Sequence, residues 1–310
     1  MSQPLSPAAK FLSRLVAAAI VIAVFAAVVQ ADVSGLAGAQ PAWWLVPIAV
    51  LAAARGSAEA AALFAARGIE VRRGLVQLAA AGIALAPAVA PAVVATGPWG
   101  PLGLAAFATT TAVGLIIAAE LPGYRAGEHR LDRVTAGVGT AVALGLPIAF
   151  MVALRLLGER ETHAATVSPL GRVLPLVSLV AVVKGGDIAA YVFGSLVGRR
   201  RMTPALSPGK TWEGAIASLA ASVAVAWLVI DWLPRAWLGA AGGMPWGGWP
   251  IYGLVVGTAG MVGDLAESFV KRELGAKDSG RLLGGLGGVL DLVDALLVAA
   301  PVAWLLWALG

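Results

Sequence analysis

Cysteine is absent from the 310 residues, so the chain has no disulfide, no thiol nucleophile and no thiolate zinc site. Histidine is nearly absent. Only His129 and His163 occur, which argues against a histidine-rich metal centre and most histidine acid–base schemes. Charge is scarce too. Asp, Glu, Lys and Arg make up 13% of the chain, where soluble domains carry about 25%. An ordinary cytosolic enzyme, a disordered chain and a fibrous one are thereby excluded. What is abundant is apolar: 59% of the residues, before 39 glycines are counted, with a mean hydropathy of +0.87. In a membrane protein the modest net charge of +5 speaks of topology and anionic ligands, with no nucleic acid partner. Any metal must be held by oxygen atoms, which points to a hard cation such as Mg²⁺.

A membrane-crossing helix takes about 20 mostly apolar residues. About nine segments qualify, roughly 11–31, 41–55, 75–95, 99–119, 135–157, 170–197, 212–233, 249–270 and 288–309. The fold class is all-α, a polytopic integral membrane protein. Pro87 and Pro91 predict a kink in the third span. Lys and Arg sort the loops. One alternating set holds Lys10, Arg14, Arg55, Arg67, Arg72, Arg73, Arg125, Arg130, Arg133, Arg199, Arg200, Arg201, Lys210, Lys271, Arg272, Lys277 and Arg281; the other holds only Arg155, Arg160, Arg172 and Arg235. The positive-inside rule then puts the N-terminus in the cytoplasm. Trp232, Trp237, Trp246 and Trp249 fall on the outer side and read as an interfacial belt. The first span reads as an uncleaved anchor rather than a secretory signal. Residues 55–73, with Glu59 and Glu70 among the arginines, predict a short amphipathic helix at the cytoplasmic surface. The chain divides into an N-terminal transmembrane scaffold, 1–134, and a C-terminal catalytic transmembrane region, 135–310, whose site faces the cytoplasm.

Charge at bilayer depth costs roughly several kcal/mol and marks function by default. Lys184, Asp187, Glu213, Asp264, Glu267, Asp291 and Asp294 all lie within or at the ends of spans. Lys184 and Asp187 are three apart and can neutralise each other. The five further acids lie in three other spans and run short of cations. Asp264, Glu267, Ser268 and Lys271 share one helical stripe, and Asp291 and Asp294 share a face of the last span. Two helices that present carboxylates to each other make the oxygen-only site Mg²⁺ prefers.

Basic, glycine-rich loops lie close by in sequence. They are Gly198-Arg199-Arg200-Arg201, Ser207-Pro208-Gly209-Lys210-Thr211-Trp212-Glu213-Gly214, Lys277-Asp278-Ser279-Gly280-Arg281 and Gly284-Gly285-Leu286-Gly287-Gly288. Glycine admits close backbone approach, and Lys and Arg hold phosphate. The arginine triplet also serves the positive-inside pattern, and the last glycine run also suits helix packing. Ser207-Pro208 before Thr211 has the look of a helix start. Gly209-Lys210-Thr211 is not a P-loop, because the required upstream glycine and strand are missing. Acids for a metal, bases for phosphate and a membrane location converge on phosphoryl or nucleotidyl transfer to a lipid. A lipid phosphate is already an anion, so no strong general base is needed.

The run from Ser268, Lys271 and Arg272 through Lys277-Asp278-Ser279-Gly280 to Gly287-Gly288, Asp291 and Asp294 resembles the signature of the phosphatidate cytidylyltransferases, or CDP-diacylglycerol synthases. Asp187-Ile188-Ala189-Ala190-Tyr191, the 207–214 segment and Gly263-Asp264-Leu265-Ala266-Glu267-Ser268 are similar to the same family, in its order, over about the last 125 residues. The resemblance implies transfer of CMP from CTP to phosphatidic acid, giving CDP-diacylglycerol and pyrophosphate with Mg²⁺. It implies Asp264 and Asp291 as metal ligands, and Asp264, Asp291, Asp294, Lys210 and Lys277 as catalytic. Substrate binding would fall to Asp187, Ser207, Lys210, Thr211, Glu213, Ser268, Lys271, Arg272, Lys277, Asp278 and Arg281. Partners are CTP, phosphatidic acid and membrane lipid, and the location is the cell inner (plasma) membrane. A second, monovalent cation and a homodimer are left open.

Three positions depart from the family pattern. Leu286 stands where the family has His, Leu292 where it has Arg, and Gly209 where a basic residue is common. Arg281 and Lys184 are the candidates to replace that charge. Two alternatives stay open: a CTP-dependent cytidylyltransferase acting on another lipid phosphate, and an ion-coupled transporter with Lys184 and Asp187 in its relay.

Overall fold

A computed structural model describes residues 20, 22–35, 42–93, 100–122, 124–125, 130–160, 171–238, 243–276, 279–280 and 287–310. Among these, helices dominate: α1 Ile22–Val33, α2 Val46–Ala65, α3 Arg73–Val93, α4 Gly100–Glu120, α5 Arg130–Arg160, α6 Leu174–Val197, α7 Trp212–Ala226, α8 Leu233–Leu238, α9 Gly248–Glu273 and α10 Val289–Ala308. A π-helical turn, Trp227–Trp232, joins α7 to α8. Among the described residues, eight stretches are long and apolar enough to cross a membrane, and the chain is a polytopic all-α membrane protein. Such spans satisfy every backbone group internally, which is what a lipid environment demands. Lys10, Arg14, His129, His163, Lys277, Asp278, Arg281 and Leu286 lie outside the described residues.

Two expectations are corrected. The second span does not stop near residue 55; α2 continues to Ala65 as one helix, with Gly56, Ser57 and Ala61 buried. Residues 55–65 therefore form no separate surface helix. Arg55 sits on the exposed face of α2, which lets the helix run on past it. The basic segment before α7 is not a plain loop either. Arg201–Thr203 (β1) and Ser207–Thr211 (β2) pair antiparallel, with Arg201 opposite Thr211 and Thr203 opposite Ser207. The helix start read at Ser207-Pro208 comes later: those residues lie in β2, and it is the Thr211 hydroxyl that accepts from Gly214 N at 3.1 Å and caps α7.

The largest core lies among α5, α6, α9 and α10. Leu154, Leu179, Val182, Val256, Ala299 and Trp307 are all at or near zero exposure there. A polar knot ties three of these helices together: the Ser178 and Tyr252 hydroxyls are 2.9 Å apart, and Trp307 Nε1 donates to Ser178 Oγ at 3.1 Å. Small residues set the spacing. A Cβ added at Gly253 would stand 2.6 Å from Val223 Cα, and one at Gly263 would stand 2.8 Å from the Asp294 carbonyl oxygen. Glycine at these points lets α7 and α10 crowd onto α9. The Gly263 contact brings the acidic turn of α9 against the acidic turn of α10.

Candidate active site

At the end of the bundle where α6 finishes, α7 begins, α9 finishes and α10 begins, a cavity of ≈ 730 Å³ opens. Lys184, Asp187, Arg201, Ser207, Lys210, Thr211, Asp264, Asp291 and Asp294 all contribute to its wall. The structure thus gathers seven of the eleven described sequence-predicted residues into one place, from three helices and the hairpin. Glu213, Ser268, Lys271 and Arg272 do not line it. Glu213 accepts from the backbone of Arg199 at 3.1 Å and Arg200 at 3.2 Å, fixing the entry to the hairpin. Arg272 Nε donates to the Leu206 carbonyl at 3.3 Å, pinning the hairpin turn to the end of α9.

Three described lysines, Lys184, Lys210 and Lys271, each face an acid. Lys184 Nζ is 3.1 Å from Asp187 Oδ2 one turn along α6. Lys210 Nζ, carried by β2, is 2.9 Å from Asp264 Oδ2. That contact holds the Lys210 ammonium against the Asp264 carboxylate at the cavity wall. Lys271 Nζ bridges Glu267 Oε2 at 2.5 Å and Asp291 Oδ1 at 2.7 Å. Among the described lining residues, four carboxylates (Asp187, Asp264, Asp291, Asp294) meet three cations (Lys184, Arg201, Lys210). Added positive charge would favour a polyanion in a cavity with that balance.

The acids of α9 and α10 supply a place for that charge. One oxygen each from Asp264, Glu267 and Asp294 lie within 4.8 Å of one another. Glu267 Oε1 is buried and has no hydrogen-bond partner among the described residues. Three converging carboxylates, one with an unsatisfied buried oxygen, suit a hard divalent cation. Asp291 is engaged differently. Its Oδ1 sits on Lys271, while its Oδ2 accepts from Gly288 N at 2.7 Å, Ser279 Oγ at 2.8 Å and Ser279 N at 3.2 Å. Only Oδ1, already held by Lys271, has acceptor capacity left for an ion.

Two residues were missed by the sequence reading of the site. Glu267 had been noted in the acidic stripe of α9, but its contact with Asp294 depends on how α9 and α10 cross. Glu59 falls in the segment that the sequence reads as a surface helix, because the second span is read to end at residue 55, whereas α2 runs on to Ala65. A helix carried through to residue 65 would have flagged Glu59 as an intramembrane acid.

Comparison with known proteins agrees with the cavity's chemistry. The profile of the Cytidylyltransferase family matches residues 12–309. A phosphatidate cytidylyltransferase of Brucella suis is 48% identical over 136 residues, covering 43% of this chain and 47% of the relative. One of Pseudomonas aeruginosa is 41% identical over 143 residues (44% and 48% covered), and one of Mycobacterium leprae 42% over 134 residues (43% and 39%). The chain thus spans about half the length, or less, of these curated relatives. With the family profile matched over nearly all of its length, the chain belongs to the cytidylyltransferase family.

Proposed function

We propose that the chain is a phosphatidate cytidylyltransferase, which transfers CMP from CTP to phosphatidic acid and releases pyrophosphate. The observation that carries this reading is the carboxylate group Asp264, Glu267 and Asp294 beside a cavity lined by Lys184, Arg201 and Lys210. The names of the relatives supply the substrates. A phosphate oxygen of the lipid attacks the α-phosphorus of CTP, and the bond to the β-phosphate oxygen breaks. Lys210 and Arg201 bind phosphate oxygens in the cavity, and the hairpin holds Lys210 rigidly over Asp264. Lys271 offsets the charge of Glu267 and Asp291 from behind. Mg²⁺ is the ion proposed for the Asp264, Glu267 and Asp294 group. Bound there, a divalent cation screens the negative charge that builds on the departing pyrophosphate. The geometry favours Glu267 and Asp294 over Asp291 as companions of Asp264.

The site faces the cytoplasm in this proposal, where CTP is found. The basic loops on that side of the bundle support the orientation. The homologues are bacterial, which supports an inner-membrane location. The test is direct. Purified protein is given labelled CTP, Mg²⁺ and a panel of lipid phosphates. Formation of CDP-diacylglycerol from phosphatidate supports the reading. Turnover only with another lipid phosphate replaces its substrate, and ion-dependent uptake without turnover replaces it with transport.

A further inference from the structure

Glu59 belongs to α2, far in sequence from the motif segments of the C-terminal region, yet its carboxylate ends at the start of α10. Its Oε1 accepts from Val289 N at 3.0 Å and its Oε2 from Leu290 N at 2.9 Å. These amides open α10, and the first amides of a helix find no partner within it. Oε2 also accepts from Ser279 Oγ at 3.2 Å. The same hydroxyl lies 2.8 Å from Asp291 Oδ2. A serine hydroxyl has one hydrogen, so Glu59 and Asp291 share it. Asp291 Oδ2 takes the preceding amide, Gly288 N, at 2.7 Å. Two carboxylates from opposite ends of the sequence therefore seat the first turn of α10 between them.

The fit is close. A Cβ added at Gly280 would stand 2.9 Å from Glu59 Oε1, and one at Gly288 would overlap the Glu59 carboxylate. Glu59 has no Lys or Arg in ion-pair contact among the described residues; amides, a hydroxyl and the positive end of α10 meet its charge. We infer that Glu59 is a positioning residue for the transfer reaction. It sets the depth and rotation of the first turn of α10, and through Ser279 the direction of Asp291. Asp294, three residues on, is thereby aimed at Asp264 and Glu267. The N-terminal scaffold thus reaches into the site through one side chain.

The kinetic part of this inference rests on the proposed cytidylyl transfer; the structural part does not. The test compares the parent with Glu59→Gln, Glu59→Ala and Ser279→Ala, each as the full chain in detergent. Amide hydrogen exchange over residues 287–292, thermal unfolding, kcat and the KM for CTP are measured on each. Glu59→Ala is expected to raise exchange at Val289 and Leu290 at least tenfold. A misplacement near 1 Å costs about 100-fold in rate, so kcat should fall roughly 30–100-fold, with KM for CTP changed less than about threefold. Glu59→Gln keeps the shape and one acceptor, and should fall between. Combined with Ser279→Ala, Glu59→Ala should lose less than the product of the single effects, because both act on Asp291. Unchanged exchange at 289–290 overturns the seating of α10. If the parent forms CDP-lipid and folded Glu59→Ala keeps kcat within twofold, the positioning role is overturned. A kcat loss that merely tracks the unfolded fraction overturns it as well. A parent that forms no CDP-lipid counts against the reaction, and the exchange arm then still decides whether Glu59 holds the helix.

Discussion

Arg155 with Asp32, between α5 and α1, and Lys210 with Asp264, between the hairpin and α9, are both cation–Asp contacts shorter than 3 Å, but their surroundings are opposite. The first, at 2.6 Å, joins α5 to α1 with its side chains 2% and 0% exposed, and Arg155 also donates to the Arg172 carbonyl. The second, at 2.9 Å, is 22% and 38% exposed and lines the cavity. A sealed pair is expensive to break, because the survivor is left charged in an apolar interior. A pair that opens onto a cavity can exchange partners with an incoming ion and phosphate. The contrast separates charges that hold the bundle together from charges that do chemistry, although both look alike as ionisable residues near spans.

The predictions attack that contrast from either side. Asp264→Asn should lower turnover at least about 1,000-fold, the loss of roughly 4 kcal/mol of charge stabilisation, with the thermal midpoint unchanged. Near-normal turnover would move Asp264 to the structural class. Gly263→Val should cost about 100-fold in kcat, because the new branch meets the Asp294 carbonyl and pushes the two acidic turns apart. A crosslink or spin-label distance between α9 and α10 should lengthen with it. Asp32→Asn should do the reverse of Asp264→Asn. It should destabilise the folded chain by about 3 kcal/mol, read as a lowered thermal midpoint, while activity per folded molecule stays at the parent value. Lys210→Ala should raise the CTP or lipid concentration needed for half-maximal rate about tenfold, the scale of one charge-assisted phosphate contact. Unchanged kinetics would remove Lys210 from the phosphate site.

Much of this was legible because a bilayer makes simple demands on sequence. Apolar runs marked nearly every span, and the scarcity of charge inside them made Asp187, Asp264, Asp291 and Asp294 stand out. The three-residue spacings correctly put Asp264 with Glu267 and Asp291 with Asp294 on common faces. Three things were not legible. Arg55 and Glu59 ended the second span in the reading, whereas in the fold Arg55 turns outward and Glu59 finds amides on α10. The 201–211 hairpin is too short and too polar to show strand alternation, and Glu213 and Arg272 hold it from outside. Which acid of α10 meets Asp264 is decided by the crossing at Gly263, a contact between segments about 30 residues apart that no local spacing encodes.

The central claim is that Asp264, Glu267 and Asp294 jointly hold one divalent cation beside the phosphate cavity. Mn²⁺ binding to the purified chain, followed by paramagnetic resonance with Mg²⁺ as competitor, tests it without turnover. The account predicts one saturable, Mg²⁺-displaceable ion per chain, weakened at least about tenfold by Asp264→Asn and by Asp294→Asn but less than about threefold by Asp291→Asn. Absence of saturable binding, or a loss in Asp291→Asn with Asp294→Asn unaffected, would contradict it.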